Sequence, residues 1–119
     1  MSSSHPSALQ WPPLPRTIEL RGGWVKVQRP YKLGKKFADW EETRRIIRIE
    51  RGLSRELAWR YLFHELTHAW LDDSRLFYGT VEVLALTEDQ EEAICDVVAS
   101  NLHFEMRRRL EAEQALPEV

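Results

Sequence analysis

Apolar and polar positions alternate from Thr17 to Gln28 around Gly22-Gly23, and this period of two with a two-glycine turn predicts a β-hairpin. Folded at those glycines, the chain sets Leu20 opposite Val25, Ile18 opposite Val27 and Glu19 opposite Lys26. The apolar pairs then share one face and the ion pair lies on the other. Pro30, Gly34 and the mixed segment 32–43 predict a connection. Arg44-Arg45-Ile46-Ile47-Arg48-Ile49-Glu50 predicts a third strand, with Ile47 and Ile49 toward the core and the arginines outside it.

Beyond Gly52 the period changes. Ser54 is an N-cap signal for a helix from Arg55 to about Asp72. Glu56, Arg60, Thr67 and Ser74 form a narrow polar stripe, whereas Trp59, Leu62, Phe63, Leu66, Ala69, Trp70 and Leu71 cover most of the remaining surface, so this helix should be central and largely buried. A loop is expected from Asp73 to Leu86. Thr87-Glu88-Asp89-Gln90 has the form of a capping box, opening a second helix from Glu88 towards Glu113 with Ile94, Val97, Val98, Leu102 and Met106 as its apolar face. The expected fold is α+β: a small domain of about three mostly antiparallel strands packed on two principal helices.

At 119 residues the chain is the size of one domain, assigned to 16–119. Residues 1–15 hold four Ser and four Pro, a composition that predicts a mobile or extended tail, with Trp11 as the anchor if it docks on a partner. The formal charge of −2 disfavours a general nucleic-acid coat protein. It conceals an asymmetry, because residues 26–60 carry eleven Lys/Arg against five Asp/Glu and residues 61–119 carry four against thirteen. The absence of a basic start with an apolar run, and of a stretch near the ~20 apolar residues of a membrane span, leads to the expectation of a cytoplasmic protein with no membrane partner.

Composition then constrains the chemistry. With Cys95 as the single cysteine, there is no internal disulfide and no all-cysteine metal site, so any metal must be held mainly by His and carboxylate. His64-Glu65-Leu66-Thr67-His68 supplies such a group. The i, i+4 spacing places two imidazoles on one helix face, about 6 Å apart along the axis, near enough to share one Zn²⁺. Glu65 lies beside that face, where a carboxylate can act as general base without being a ligand. Two histidines leave a tetrahedral site incomplete, and the second helix offers Glu91, Glu92 and Asp96.

HELTH followed by EAICD on the next helix resembles the gluzincin metallopeptidases, whose pattern is HExxH followed by ExxxD, and in layout the minimal ImmA/IrrE-type and phage-encoded HExxH proteins. The resemblance covers about residues 44–104. It implies zinc held by His64, His68 and Glu92, Glu65 as general base, Asp96 orienting one ligand histidine, and a peptide or protein substrate. Glu91 rivals Glu92, because one residue of register rotates a side chain by about 100°. The resemblance does not extend to the large second domain of thermolysin-type enzymes, nor to the segment carrying their oxyanion-stabilising His. His103, eleven residues after Glu92, and Tyr78, expected in the loop between the helices, are the candidates for that role.

Two further readings stand beside the peptidase. One is a silent, zinc-stabilised regulatory module, marked by a fourth zinc position filled by Asp73, Cys95 or His5. The other is a SprT-like DNA-associated protease, suggested by the basic segment 26–60 and by HELTHAW, although such enzymes use a third His. Arg44, Arg45 and Arg48 either line a substrate strand, attracting acidic or phosphate-bearing groups, or are salt-paired against the acidic half; the second is the plainer reading.

Overall fold

The computed structural model describes residues 9–78 and 85–115, the side chains of Phe77 and Tyr78 excepted. They form an α+β unit in the order β1 (Thr17–Leu20), β2 (Gly23–Gln28), β3 (Ala38–Glu41), β4 (Ile46–Ile49), α1 (Arg55–Tyr78) and α2 (Glu88–Gln114). The sheet runs β1-β2-β4-β3, so the last strand is inserted beside β2 and leaves β3 at the edge. Its outer pairs are antiparallel and the central pair, β2 with β4, is parallel. Among the described residues no helix is long and apolar enough to cross a membrane.

The hairpin forms, but with a register two residues from the expected one: Ile18 faces Val25 and Leu20 faces Gly23. The two-residue loop is therefore Arg21-Gly22, and Gly23 carries the positive φ of 126°. A shift of two keeps every side chain on its face, so the apolar assignment survives. The cause lies in α1. Gly22 N–H donates to Asp73 Oδ2 at 3.1 Å, and a Cβ at Gly22 would fall 2.7 Å from the Asp73 Cγ. Only glycine admits that approach.

β3 occupies a segment expected as a connection. Ala38-Asp39-Trp40-Glu41 is short and half acidic, but Asp39 lies directly opposite Arg48 and binds it through two contacts, one of 2.8 Å from Nε to Oδ1. Glu41 also binds Arg44, three residues on in the β3–β4 turn. Cross-strand charge pairing thus replaces hydrophobic alternation as the reason for the strand. The arginines are salt-paired, but only Arg45 reaches the acidic half, at Asp73; Arg44 and Arg48 pair with Glu41 and Asp39 of their own basic segment.

Ile47 and Ile49 of the central strand are fully buried with Val25 and Leu62, each contributing about 1.5 to 3 kcal/mol of burial energy. Ser54 caps α1 by accepting from Leu57 N–H at 3.2 Å. Ala58, Leu62, Leu66 and Ala69 then form a buried stripe with a helical period. The helix does not stop near Asp72 but runs to Tyr78. Asp73 is buried inside it, paired with Arg45 at 2.7 and 3.0 Å. Arg45 has φ of 53° in the β3–β4 turn, a conformation disfavoured for a side chain, and its guanidinium also reaches Gly23 O. One carboxylate thus ties α1 to both turns of the sheet.

α2 starts at the expected capping box. Its inner face is partly the expected one: Val98, Leu102 and Met106 are half-buried, but the buried residues are Cys95 and Ala99, and Ile94 and Val97 are exposed. Of the segment 1–15, residues 9–15 lie extended across both helices. Trp11 is buried and stacked on His103 at 5.0 Å, and Trp59 Nε1–H donates to Pro12 O at 2.7 Å.

The Arg45 hydrogen bond, with the guanidinium charge and the Gly22 N–H added, holds the Asp73 carboxyl below its ordinary value against the cost of burial. Its stabilisation is therefore full above the ordinary value of about 3.9 and is lost as pH falls through the lower folded value. Asp73→Ala should cost about 1.5 to 3 kcal/mol at neutral pH. Chemical denaturation at stepped pH should also show a shallower acid limb than in the parent.

Candidate metal centre

The middle of α1 carries its polar residues inward, where His64, Glu65 and His68 meet the first turns of α2. α1 fixes them by burying the neighbouring Leu62, Leu66 and Ala69. The two imidazoles lie edge to face with centroids 5.1 Å apart. His64 Nε2 is 3.1 Å from Glu92 Oε2, and His68 Nε2 is 2.7 Å from Glu92 Oε1. The opposite ring nitrogens are each held by another carboxylate: His64 Nδ1 by Asp96 at 3.0 Å and His68 Nδ1 by Glu91 at 2.6 Å.

This arrangement has an electrostatic consequence. A neutral imidazole that donates from Nδ1 presents a lone pair at Nε2. Here both lone pairs would face the lone pairs of one carboxylate, so the contacts are favourable only with a cation between them, either protons on the rings or a metal ion. The donor set suits a metal: two nitrogens and a carboxylate converge, and carboxylates orient both rings. Two overlapping groups of side chains have the spacing to hold an ion, His64/Glu92/Asp96 and His64/His68/Cys95. Burial, reinforced by the carboxylates of Glu91, Glu92, Glu65 and Asp96, pushes the Cys95 thiol up to about 12.

Glu65 is nearly buried, and desolvation raises its carboxyl above the ordinary value despite the two adjacent histidines. Burial disfavours the His68 imidazolium, but its hydrogen bond to Glu91 and the charges of Glu65 and Glu92 outweigh that and raise its pKa. Glu91 is half-buried, which works to raise its pKa, yet Arg75 and His68 together lower it.

The rivals Glu91 and Glu92 therefore take different places. Glu92 faces both Nε2 atoms, while Glu91 lies behind His68 and reaches further back. Arg75 binds Glu91, and also Asp72 at 2.8 Å; Asp72 accepts from Trp40 Nε1 on β3 at 2.7 Å. This chain of contacts, from the edge strand to a histidine, was invisible in the sequence because Asp72 and Arg75 fall where the helix was expected to end. Their spacing from His68, i+4 for Asp72 and i+7 for Arg75, places all three on one helix face and was its one sequence signal.

His103 is not brought to this centre. Eleven residues along α2 it stacks on Trp11, with its Nε2 3.4 Å from Glu56, and burial lowers its pKa. Tyr78 is the last residue of α1 rather than part of a loop, and its side chain lies outside the described residues, as does His5. Asp73 faces the sheet turns. A cleft of about 470 Å³ opens beside the histidines, lined by Ala38, Trp40 and Tyr61 together with His64, Glu65, His68 and Glu92. Tyr61 was missed by sequence reasoning, although it sits three residues before His64 on the same helix face. β4, the strand expected to meet a substrate, is interior; the edge facing the cleft is β3.

Removing a partner that orients a ligand histidine typically weakens metal binding 10- to 100-fold. With a divalent ion held at His68, Glu91→Gln should lower its affinity by that range, measured by competition with a chromophoric chelator, without abolishing binding, and Arg75→Ala should lower it by less. No family model, curated protein or solved structure matches the chain.

Proposed function

We propose that the chain is a zinc-dependent peptide hydrolase, with His64, His68 and Glu92 as ligands and Glu65 as general base. The observation that carries this reading is the convergence of both Nε2 atoms of one HExxH turn on the two oxygens of Glu92, with both Nδ1 atoms already held by carboxylates. Nitrogen and oxygen donors of this kind suit Zn²⁺. Bound zinc supplies Lewis acidity, polarising the scissile carbonyl and lowering the pKa of water towards neutrality.

The remaining work falls to the protein's own side chains. Asp96 and Glu91 hold the imidazoles with Nε2 forward. Glu65 takes a proton from the attacking water and delivers it to the amine nitrogen as the C–N bond breaks. Its raised pKa brings the carboxylate closer to the operating pH, where proton transfer in both directions is efficient. The cleft along β3 leaves room for an extended peptide beside this group.

The second reading, a silent zinc-stabilised module, draws on one observation: the Cys95 sulfur lies within 4.8 Å of ring nitrogens of both histidines. Cys95→Ala separates the two, since it leaves zinc affinity unchanged in a hydrolase and weakens it in a module closed by the thiolate. Of the basic segment that suggested the DNA-associated reading, Arg44, Arg45 and Arg48 are each paired with a carboxylate.

Glu65→Gln should keep one zinc per chain and lower cleavage of quenched-fluorescent peptide pools by about 10²- to 10⁴-fold or more. Undiminished cleavage in that variant would overturn the mechanism.

A further inference from the structure

The cleft beside the histidines has a second wall, a short basic turn. Leu33 and Lys36 close a tight turn through an isolated bridge, with Gly34 at φ of 73°. The turn is anchored rather than loose. Leu33 N–H donates to Glu50 Oε1 at 3.2 Å, Glu50 N–H donates to Phe37 O at 2.8 Å, and the Phe37 ring packs on Tyr61 of α1 at 5.8 Å. Lys35 and Lys36 are thereby presented at the start of the edge strand, lining the same cleft as His64, Glu65, His68 and Glu92.

The charges around this cleft are not equally committed. Asp39 is bound to Arg48, Glu91 to Arg75 and His68, Glu92 to both histidines, and Asp96 to His64. The arginines of the sheet are likewise paired. No described carboxylate pairs with Lys35 or Lys36, and both are exposed. Past Tyr61 a neighbouring cavity of about 460 Å³, shared by His64, Asp96 and Ser100, contains Arg60, which also lacks a described carboxylate partner.

We infer that Lys35 and Lys36 form a subsite for acidic side chains, so that the peptides cut are those carrying Asp or Glu near the scissile bond. This rests on the hydrolase reading above. A peptide laid along β3 passes the turn at one end, and its carboxylates there meet two ammonium groups that have no carboxylate partner among the described residues. Such contacts are exposed and individually weak, and together they correspond to a preference of about tenfold that salt diminishes. Arg60 extends the same preference across the histidines.

The test uses the full chain loaded with zinc and pools of quenched-fluorescent peptides, each pool fixed as Asp, Glu, Ser or Lys at one position. Scissile bonds are located by mass spectrometry. The expected result is a kcat/KM about tenfold higher for Asp or Glu than for Ser at one or more positions flanking the bond, shrinking as ionic strength rises. In the double variant Lys35→Glu, Lys36→Glu, the preference at those positions should reverse to Lys, with zinc content and Tm unchanged. Lys35→Gln, Lys36→Gln should abolish the preference without reversing it. Cleavage with no acidic preference, or a preference unaltered by charge reversal, overturns the subsite and leaves the hydrolase intact. Absence of cleavage in every pool by the zinc-loaded parent overturns the hydrolase reading and the subsite with it.

Discussion

Two imidazoles and a carboxylate can occupy the middle of a buried helix only if every polar atom among them finds a partner, since an unpaired one costs on the order of 1 to 3 kcal/mol or more. In this domain that constraint governs the layout. His64 and His68 each use both ring nitrogens, and the four contacts all come from α2, from Glu91, Glu92 and Asp96. The two long helices therefore meet at the polar group, while the apolar contacts of α1 are made mainly on the sheet side. Removing the cation that the opposed lone pairs require would set the helix pair against itself, so the chemistry and the packing of α2 are coupled.

A second consequence is the length of α1. Two adjacent aspartates extend it past its apolar stripe and give it two anchors. Asp73 holds Arg45 and Gly22 and so fixes both turns of the sheet; Asp72 holds Trp40 and Arg75 and so joins the edge strand to the Glu91 that orients His68. Trp40 of β3 is thus joined to His68 through Asp72, Arg75 and Glu91 by charged contacts, which are shorter and more directional than apolar packing.

The sequence made the site easier to read than the sheet. HELTH fixed its own geometry, because the i, i+4 rule is local, and the capping box at Thr87 set the rotation of α2 closely enough to bring Glu92 and Asp96 forward. The harder features were all non-local. β3 is held by Asp39 against Arg48, nine residues on, and the hairpin register answers to an aspartate 51 residues downstream of Gly22. His103 lay on the right helix but too far along it, and a tryptophan from the N-terminal segment claims its ring. Glu91 was weighed as a rival ligand, and the fold sets it against His68 Nδ1 and Arg75 rather than between the two histidines.

The central claim is that His64, His68 and Glu92 together hold one metal ion. Cobalt titration of the metal-free protein, followed by visible absorption in parent and Glu92→Ala, tests it most directly. The account predicts one Co²⁺ per chain with the absorption of a four-coordinate nitrogen and oxygen site, and loss of that site in the variant. A thiolate charge-transfer band in the parent, or an unchanged spectrum and affinity in Glu92→Ala, would contradict it.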